Sequence, residues 1–176
     1  VSSLLNLQSH YIKDAQAVEA VKDSRNRVLA MALIHQSLYQ EGDLQTIHVP
    51  EYIDKLCDSL FSSYNINPDK IRLVKKILPI SINVDILIPV GLILNELITN
   101  SLKYAFPEDR TVVVEICIRE EQDALLLQVE DNGVGLPSSW RREDESSFGF
   151  KMIHSLLPKL KGSLQLETDK GTRARV

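Results

Sequence analysis

The chain has 176 residues, which suits one domain of ordinary size with a small appendage. Hydrophobic residues make up 44% and charged residues 25%, a globular balance that argues against a disordered or fibrous chain. Its 20 lysines and arginines against 24 acidic residues give a formal net charge of −4, so the basic excess of a nucleic-acid-binding surface is missing.

The cysteines and the apolar runs indicate the redox compartment of the chain and its relation to a membrane. Cys57 and Cys117 are far apart, which excludes a disulfide framework or a cysteine-based zinc site and favours a reducing compartment. The apolar run over residues 86–94 contains Pro89 and is far shorter than the about 20 residues of a membrane span. We therefore expect a cytoplasmic segment, with any membrane attachment of the parent protein outside it.

Two helices are predicted at the start of the chain. Residues 1–21 contain neither Gly nor Pro and place apolar residues at helical spacing. A second helix is predicted from Ser24 to about Tyr39, and Gly42 follows it as a stop signal. Its apolar stripe consists of Val28, Ala32, His35 and Tyr39. Two such helices form an antiparallel hairpin, which we expect to pair with a second copy as a four-helix bundle.

From Val49 the pattern changes to helices alternating with strands. We expect a linker over residues 41–48, and hence a hairpin unit of residues 1–48 and a second domain of residues 49–176. The predicted elements of that domain are helix 50–64, strand 71–78, helix 85–105, strands 111–119 and 125–130, a polar loop at 137–147, helix 149–160, and strands 163–168 and 172–176. This order predicts a mixed sheet with helices gathered on one face.

Polar side chains share one face of the helix predicted over residues 85–105. At about 100° per residue, Glu96, Asn100 and Lys103 fall within about 60° of arc. A solvated face with a Glu–Lys pair explains this row by itself. Asparagine is a poor helix former, however, so Asn95 and Asn100 in mid-helix need a further reason.

Glycine motifs follow the later strands. Asp131 leads a turn with Gly133 and Gly135, where bare backbone can approach a ligand. Gly149 stands at a helix start, where free N–H groups can bind phosphate, and Gly171 with Thr172 precedes the last strand. Each motif alone is more often a plain turn or helix start. The order and spacing of all of them together with the polar helix are jointly restrictive.

In these motifs the chain resembles the ATP-binding domain of sensor histidine kinases, within the superfamily that also holds gyrase, Hsp90-type chaperones and mismatch-repair ATPases. The likeness covers about residues 49–176 and rests on residues 95–104, 131–135 and 147–152. Residues 4–9 and 32–39 look like the dimerisation helices of the subgroup related to HWE kinases. The resemblance implies an α+β fold, a dimerisation hairpin followed by an α/β sandwich that binds ATP, and a response regulator as partner.

The resemblance also implies chemical roles for single residues. Asp131 would accept a hydrogen bond from the adenine amino group, assisted by the hydroxyl of Thr172. Asn100 would ligate Mg²⁺, and Lys103 would meet phosphate as a point charge. Glu96, where many histidine kinases have Asn, would polarise the attacking imidazole.

The resemblance further implies a mobile lid over the nucleotide. Gly133, Gly135 and Gly149 would bracket this lid. Tyr104 would line the base or ribose side, or else be a half-buried core residue. Ser147 stands where many relatives have Gly, which departs from the family pattern of the lid.

A kinase of this kind needs an exposed acceptor histidine, and none of the four histidines in the chain matches. His35 shares an apolar stripe and is expected in the core, His48 lies in the linker, and His154 lies on the helix after the lid. His10 is on the right helix, but in the resembling subgroup the acceptor lies about three to four helical turns before the Leu-Leu-Asn-Leu-Gln run. We therefore expect the acceptor upstream of Val1, in a longer parent protein.

Three other functions fit parts of the pattern. An ATP hydrolase would use Glu96 as its water base, but the helical hairpin argues against it; steady phosphate release would support it. A dimeric adaptor with a vestigial nucleotide site conflicts with the intact Glu96, Asn100, Lys103 and Asp131, and failure to bind ATP would favour it. An anti-sigma-type serine kinase shares the nucleotide site but should lack the two-helix stalk.

Overall fold

The computed structural model describes residues 14–41, 45–67, 70–105, 112–122, 124–136, 147–168 and 170–176. Its helices are α1 (Ala15–Glu41), α2 (Val49–Ser63), α3 (Val84–Tyr104) and α4 (Phe148–Leu160). Its strands are β1 (Thr46–His48), β2 (Ile71–Ile77), β3 (Ser81–Asn83), β4 (Val112–Glu121), β5 (Ala124–Asp131), β6 (Gln165–Thr168) and β7 (Thr172–Arg175). The predicted α+β class, helices with a mixed sheet, is confirmed, and only β1 and β3 were missed among these elements. The predicted loop lies outside the described residues, apart from Ser147.

Within the described residues the main sheet has five strands in the order β2-β4-β5-β7-β6. β2 pairs with β4 in parallel, and the other pairs are antiparallel. From Val112 to Ile118 every second residue of β4 is buried in the core, as the period of a strand requires, and Cys117 is buried as well. The alternating residues are Val112, Val114, Ile116 and Ile118. The sheet is therefore mixed, as predicted, and β5 ends at Asp131 beside α3.

Helix α3 is the central core helix. Asn83 caps its start, since the Asn83 side chain accepts a hydrogen bond of 2.8 Å from the Asp85 N–H. The helix is long and apolar enough to cross a membrane, but 72% of the apolar window is buried inside the protein. Its apolar character is therefore explained by its place in the core, where Ile93, Leu94 and Ile98 are fully buried.

The start of the described chain differs from the prediction. One continuous helix, α1, covers residues where two helices were expected to meet near 22–23. Lys22 and Asp23 have no helix-breaking chemistry, so the helix continues through them. Asp14 caps it by accepting a hydrogen bond of 3.0 Å from the Gln16 N–H. The helix predicted over residues 1–21, with His10, falls mostly on residues 1–13, outside the described part.

The buried stripe of α1 also differs from the predicted one. It consists of Asn26, Ala30, Ile34 and Ser37. This stripe packs on α2, α3 and β1 of the same chain. His35 is consequently exposed, and its predicted place in the core is wrong. The stripe was misjudged because two of its four members are polar; Asn26 is satisfied in part by a hydrogen bond of 2.9 Å from the Ser63 hydroxyl.

Candidate active site

A cavity of about 460 Å³ opens between α3, the end of β5, the start of α4 and the β6–β7 hairpin. Its apolar walls include Leu97, Val129, Leu136, Phe150, Leu166 and Ala174. Its polar groups include Asn100, Ser101, Asp131 and Thr172. An apolar slot with a few converging polar groups suits a flat aromatic ring with a polar edge.

The carboxylate of Asp131 lies buried in this cavity, with only 5% of the residue exposed. Its Oδ1 accepts hydrogen bonds from the backbone N–H groups of Gly133 (3.0 Å) and Thr172 (3.2 Å). Its Oδ2 accepts one from the hydroxyl of Ser101 (2.9 Å). Thr172 therefore supports Asp131 through its backbone, where the sequence analysis expected its hydroxyl.

Glycines bring the loop after β5 close to its neighbours. A Cβ on Gly133 would overlap the end of α3 at Ala105. Gly135 has φ 73°, and a Cβ there would lie 2.5 Å from the Thr168 hydroxyl. That hydroxyl oxygen also accepts a hydrogen bond of 3.1 Å from the Leu136 N–H. The loop is thus fastened to the β6–β7 hairpin along the cavity.

Asn100 and Tyr104 lie on the cavity side of α3. Asn100 is half-buried, and its side-chain amide has no hydrogen-bond partner among the described residues. Its carbonyl oxygen is therefore available to a cation, which suits Mg²⁺ because this ion takes few protein ligands beside phosphate and water. Tyr104 is 66% exposed at the rim, so it is not a core tyrosine.

Glu96 lies on another flank of α3 and contacts α1. Its carboxylate makes a two-point ion pair with the Arg27 guanidinium, at 2.8 Å and 2.9 Å. Asn95 donates a third hydrogen bond of 3.0 Å to Glu96. A Cβ on Gly149 would lie 2.5 Å from Glu96 Oε2, so the start of α4 closes over this carboxylate. Phe148 packs there too, 4.7 Å from the Arg27 guanidinium.

Lys103 is likewise occupied by α1. Its ammonium contacts Asp23 at 2.7 Å and Glu19 at 2.8 Å. Burial by itself would lower the pKa of Lys103, but the hydrogen bonds to these two carboxylates outweigh burial and raise its pKa. Lys103 does not line the cavity, so in this conformation it is not available to phosphate as the sequence analysis expected.

The structure thus divides the expected site residues into two groups. One group lines the cavity or closes around it: Asn100, Tyr104, Asp131, Gly133, Gly135 and Thr172. The other lies at the contact with α1 and α4: Glu96, Lys103 and Gly149. Sequence reasoning missed Ser101 and the α1 charges. A signal for the latter was present, since Glu19, Asp23 and Arg27 recur every four residues and so share a helix face.

Two family profiles match the chain. The profile described as "Histidine kinase-, DNA gyrase B-, and HSP90-like ATPase" matches residues 87–176. A profile described as "Histidine kinase" matches residues 1–64. Together they cover the polar face of α3, the glycine motifs and the whole of α1.

Curated relatives and solved structures agree with these profiles. The sensor histidine kinase PdtaS of Mycobacterium tuberculosis is 28% identical over 98% of this chain, and its Mycolicibacterium smegmatis counterpart is 26% identical over 93%. The chain spans about a third of their length, 35% and 33%.

Among structures, the histidine kinase domain of the Erythrobacter litoralis EL346 blue-light activated histidine kinase has a TM-score of 0.76 at 22% identity, covering 99% of this chain and 92% of that one. The Acinetobacter baumannii histidine kinase AdeS has a TM-score of 0.59 at 16% identity, covering 98% and 91%. At these identities the structural likeness concerns the fold.

Proposed function

Because the chain belongs to the family of histidine kinase-, DNA gyrase B- and HSP90-like ATPases, we propose that it is the catalytic core of a sensor histidine kinase. It binds Mg·ATP and transfers the γ-phosphoryl group to a histidine upstream of this segment. The observation that carries the proposal is the buried Asp131 carboxylate in an apolar cavity, held by three donors. The histidine kinase profile over residues 1–64 supports it.

The cavity accounts for the choice of an adenine base. The apolar walls at Val129, Phe150 and Leu166 offer surface to a ring. Oδ2 of Asp131 has a second lone pair to accept a hydrogen bond from the exocyclic amino group of adenine. Guanine presents a carbonyl oxygen at that place, and two acceptors facing each other in a buried site repel. Adenine nucleotides are therefore preferred.

The triphosphate lies toward the other polar groups of α3. A Mg²⁺ ion held by the Asn100 oxygen would neutralise phosphate charge. Lys103 would add a point charge once its ammonium leaves Asp23 and Glu19. Glu96 would accept the N–H of the incoming imidazole, whose other nitrogen forms the new P–N bond while the bond from the γ-phosphorus to the ADP oxygen breaks.

The larger arrangement follows from the same family. We assign residues 1–48 to a dimerisation unit, through which the parent protein forms a homodimer, and residues 49–176 to the ATP-binding domain. A response regulator receives the phosphoryl group. The two described cysteines, Cys57 and Cys117, are both free and buried, which is compatible with a reducing cytoplasm.

Autophosphorylation of the full-length protein tests the transfer step. With γ-labelled ATP we expect an acid-labile, base-stable label on a histidine, and almost no label on residues 1–176 alone. Glu96→Gln keeps the shape of the side chain and should slow labelling by about 10²-fold or more, with ATP affinity changed only a few-fold. Glu120→Gln, the same change at an exposed position on β4, is the matched control.

Several outcomes contradict this assignment. Labelling of Glu96→Gln at the normal rate would remove Glu96 from the chemistry, and loss of ATP binding would reassign it to organising Mg²⁺. Steady phosphate release without any labelled protein would favour a hydrolase. A label on His10 would mean that the acceptor had been placed wrongly.

A further inference from the structure

The Asp131 carboxylate has two oxygens in different surroundings. Oδ1 is filled by two backbone N–H groups, those of Gly133 and Thr172. Oδ2 has one donor among the described residues, the Ser101 hydroxyl at 2.9 Å. Ser101 and Asp131 are 7% and 5% exposed, and both line the cavity. The side that meets a base is therefore held by a single side chain.

The Ser101 hydroxyl restricts rotation of the Asp131 carboxylate. A carboxylate oxygen accepts along two lone-pair directions, and Ser101 occupies one of those on Oδ2. The remaining direction is left for a donor in the cavity. Without the hydroxyl, Oδ2 would lose its only described partner in a buried site, and the carboxylate could rotate to recover hydration.

We propose that Ser101 is a positioning residue that sets the base selectivity of the site. By holding Oδ2 of Asp131, it favours a purine with an amino group over one with a carbonyl oxygen at the same position. This inference rests on the proposed function, because it concerns the nucleotide cavity. Ser101 acts through Asp131, so its effect falls on the ratio of affinities more than on folding.

The test compares Mg·ATP with Mg·ITP, because hypoxanthine replaces the adenine amino group by a carbonyl and adds no 2-amino group. Ser101→Ala should lower ATP affinity about tenfold and leave ITP affinity almost unchanged, so the selectivity ratio falls. Ser101→Thr retains the hydroxyl and should keep most of the ratio. Ser155→Ala removes an exposed serine hydroxyl on α4 and is the control.

The outcomes separate this inference from the function on which it rests. An unchanged ATP-to-ITP ratio in Ser101→Ala, with a lower melting temperature, would overturn the selectivity role and leave a purely structural one. Failure of the unaltered protein to bind ATP would overturn the proposed function itself, and this inference with it.

A second inference comes from the side of α3 that contacts α1, where the two helices carry complementary charges. Arg27 pairs with Glu96, and Asp23 with Glu19 pairs with Lys103. The partners come in reversed order along the two helices: Asp23, the earlier residue on α1, pairs with Lys103, the later one on α3, and Arg27 pairs with Glu96. The two helices therefore run antiparallel here, and each charge on α3 meets its opposite on α1.

Apart from Glu19, whose side chain is 52% exposed, the groups in these contacts are better shielded from solvent than those of ordinary surface ion pairs. The side chains of Arg27 and Glu96 are 12% and 6% exposed, and that of Lys103 is 11% exposed. Asp23 is further held by a hydrogen bond of 3.0 Å from the Tyr64 hydroxyl. Pairs with this burial and two-point geometry are screened less by salt than exposed ones.

The contacts conflict with the roles proposed for the same groups. Lys103 cannot compensate phosphate charge while its ammonium is shared by two carboxylates. Glu96 cannot accept an imidazole N–H at full strength while both its oxygens are paired with Arg27. We infer that α1 acts as an autoinhibitory clamp, which must shift before Glu96 and Lys103 meet their substrates.

Removing the acidic half of the clamp tests this. The double variant Glu19→Gln, Asp23→Asn keeps the hydrogen-bonding shapes and should bind Mg·ATP about fivefold or more tightly, because Lys103 is released. Losing two negative charges favours any anion, so the control is Glu120→Gln, Asp58→Asn, two exposed acids away from the clamp. Glu19→Gln alone, at a carboxylate that is 52% exposed, gives a mild version that preserves folding.

The direction in which ATP affinity changes shows whether Glu19 and Asp23 inhibit Lys103 or hold it in its productive position. Tighter ATP binding in the clamp variant than in the control supports autoinhibition. Equal affinity in the two double variants would overturn the clamp. Weaker binding in the clamp variant would also overturn it, since it would mean that the acids hold Lys103 in its productive position.

Discussion

Asp131 is the residue whose replacement is easiest to interpret. Asp131→Asn keeps an oxygen for the two backbone donors at Oδ1 and replaces the cavity-facing acceptor by an NH₂ group. We expect ATP affinity to fall about 10- to 100-fold, the cost of a lost hydrogen bond to a charged group. Calorimetric titration measures this, with the exposed acid-to-amide change Glu120→Gln as control. Unaltered ATP affinity in Asp131→Asn would remove Asp131 from base recognition.

Some residues of the cavity were identifiable from the sequence, and others were not. Asn100 was found because asparagine in mid-helix conflicts with local propensity, and such conflicts mark sites. Asp131 was found because its glycine turn, the polar helix and the other glycine motifs stand together in a restrictive order. Ser101 was missed because serine beside Asn100 looks unremarkable until β5 places Asp131 within 2.9 Å of its hydroxyl. The partners of Lys103 were missed for the same reason, since Asp23 is 80 residues away in sequence.

The β6–β7 hairpin provides a prediction at the scale of an element. Gly171 has φ 129°, and a Cβ there would overlap the backbone of Asp131 and Asn132. Gly171→Ala should therefore lower the free energy of unfolding by about 2 kcal/mol or more. Gly162→Ala is the matched control, because a Cβ at that position meets only ordinary contacts from 3.7 Å outward.

Urea unfolding of both glycine variants checks this expectation. Gly162→Ala should stay within about 0.5 kcal/mol of the unaltered protein. If Gly171→Ala were equally mild, the hairpin would tolerate displacement, and its contact with Asp131 would not be required for folding.

Helices and strands with one clear hydrophobic period were predicted correctly, whereas the buried face of α1 was not. Helices α2, α3 and α4 and strands β2, β4 and β5 begin and end close to their predicted positions, because their apolar residues recur at one period. In α1 the buried face carries Asn26 and Ser37, whereas Ala32 and His35, on the face that was predicted to be buried, are exposed. Polarity therefore misidentifies the buried face, which is set by packing on α2 and α3.

At the scale of the whole molecule, the core predicts a dependence of stability on pH. Burial raises the pKa of the Cys57 thiol from 9.0 to about 12. Between pH 9 and pH 12 the Cys57 thiol ionises in the unfolded chain but stays neutral in the folded protein. This difference leaves the free energy of unfolding unchanged below pH 9 and lowers it as pH rises from 9 toward 12. The free energy of unfolding should fall by about 1 kcal/mol between pH 8 and pH 10 from this thiol.

Cys57→Ala identifies the source of that loss. Urea unfolding under reducing conditions at pH 8, 9 and 10 should give a flatter profile for this variant, whatever its absolute stability. Tyr64, whose pKa is raised from 10.0 to about 12 by burial and by Asp23, also lowers stability near pH 10, but it is present in both proteins and cancels in the comparison. Parallel profiles for the two proteins would mean that the Cys57 thiol is not the titrating group.

If the cavity beside Asp131 is an adenine-nucleotide site, the unaltered protein should distinguish two purine nucleotides in a paired titration. Mg·ATP and Mg·GTP are titrated separately into residues 1–176, with binding followed by calorimetry. We expect saturable binding of one ATP per chain, with GTP at least about tenfold weaker because its carbonyl faces the Asp131 carboxylate. Equal affinity for the two nucleotides, or no binding of ATP, would contradict it.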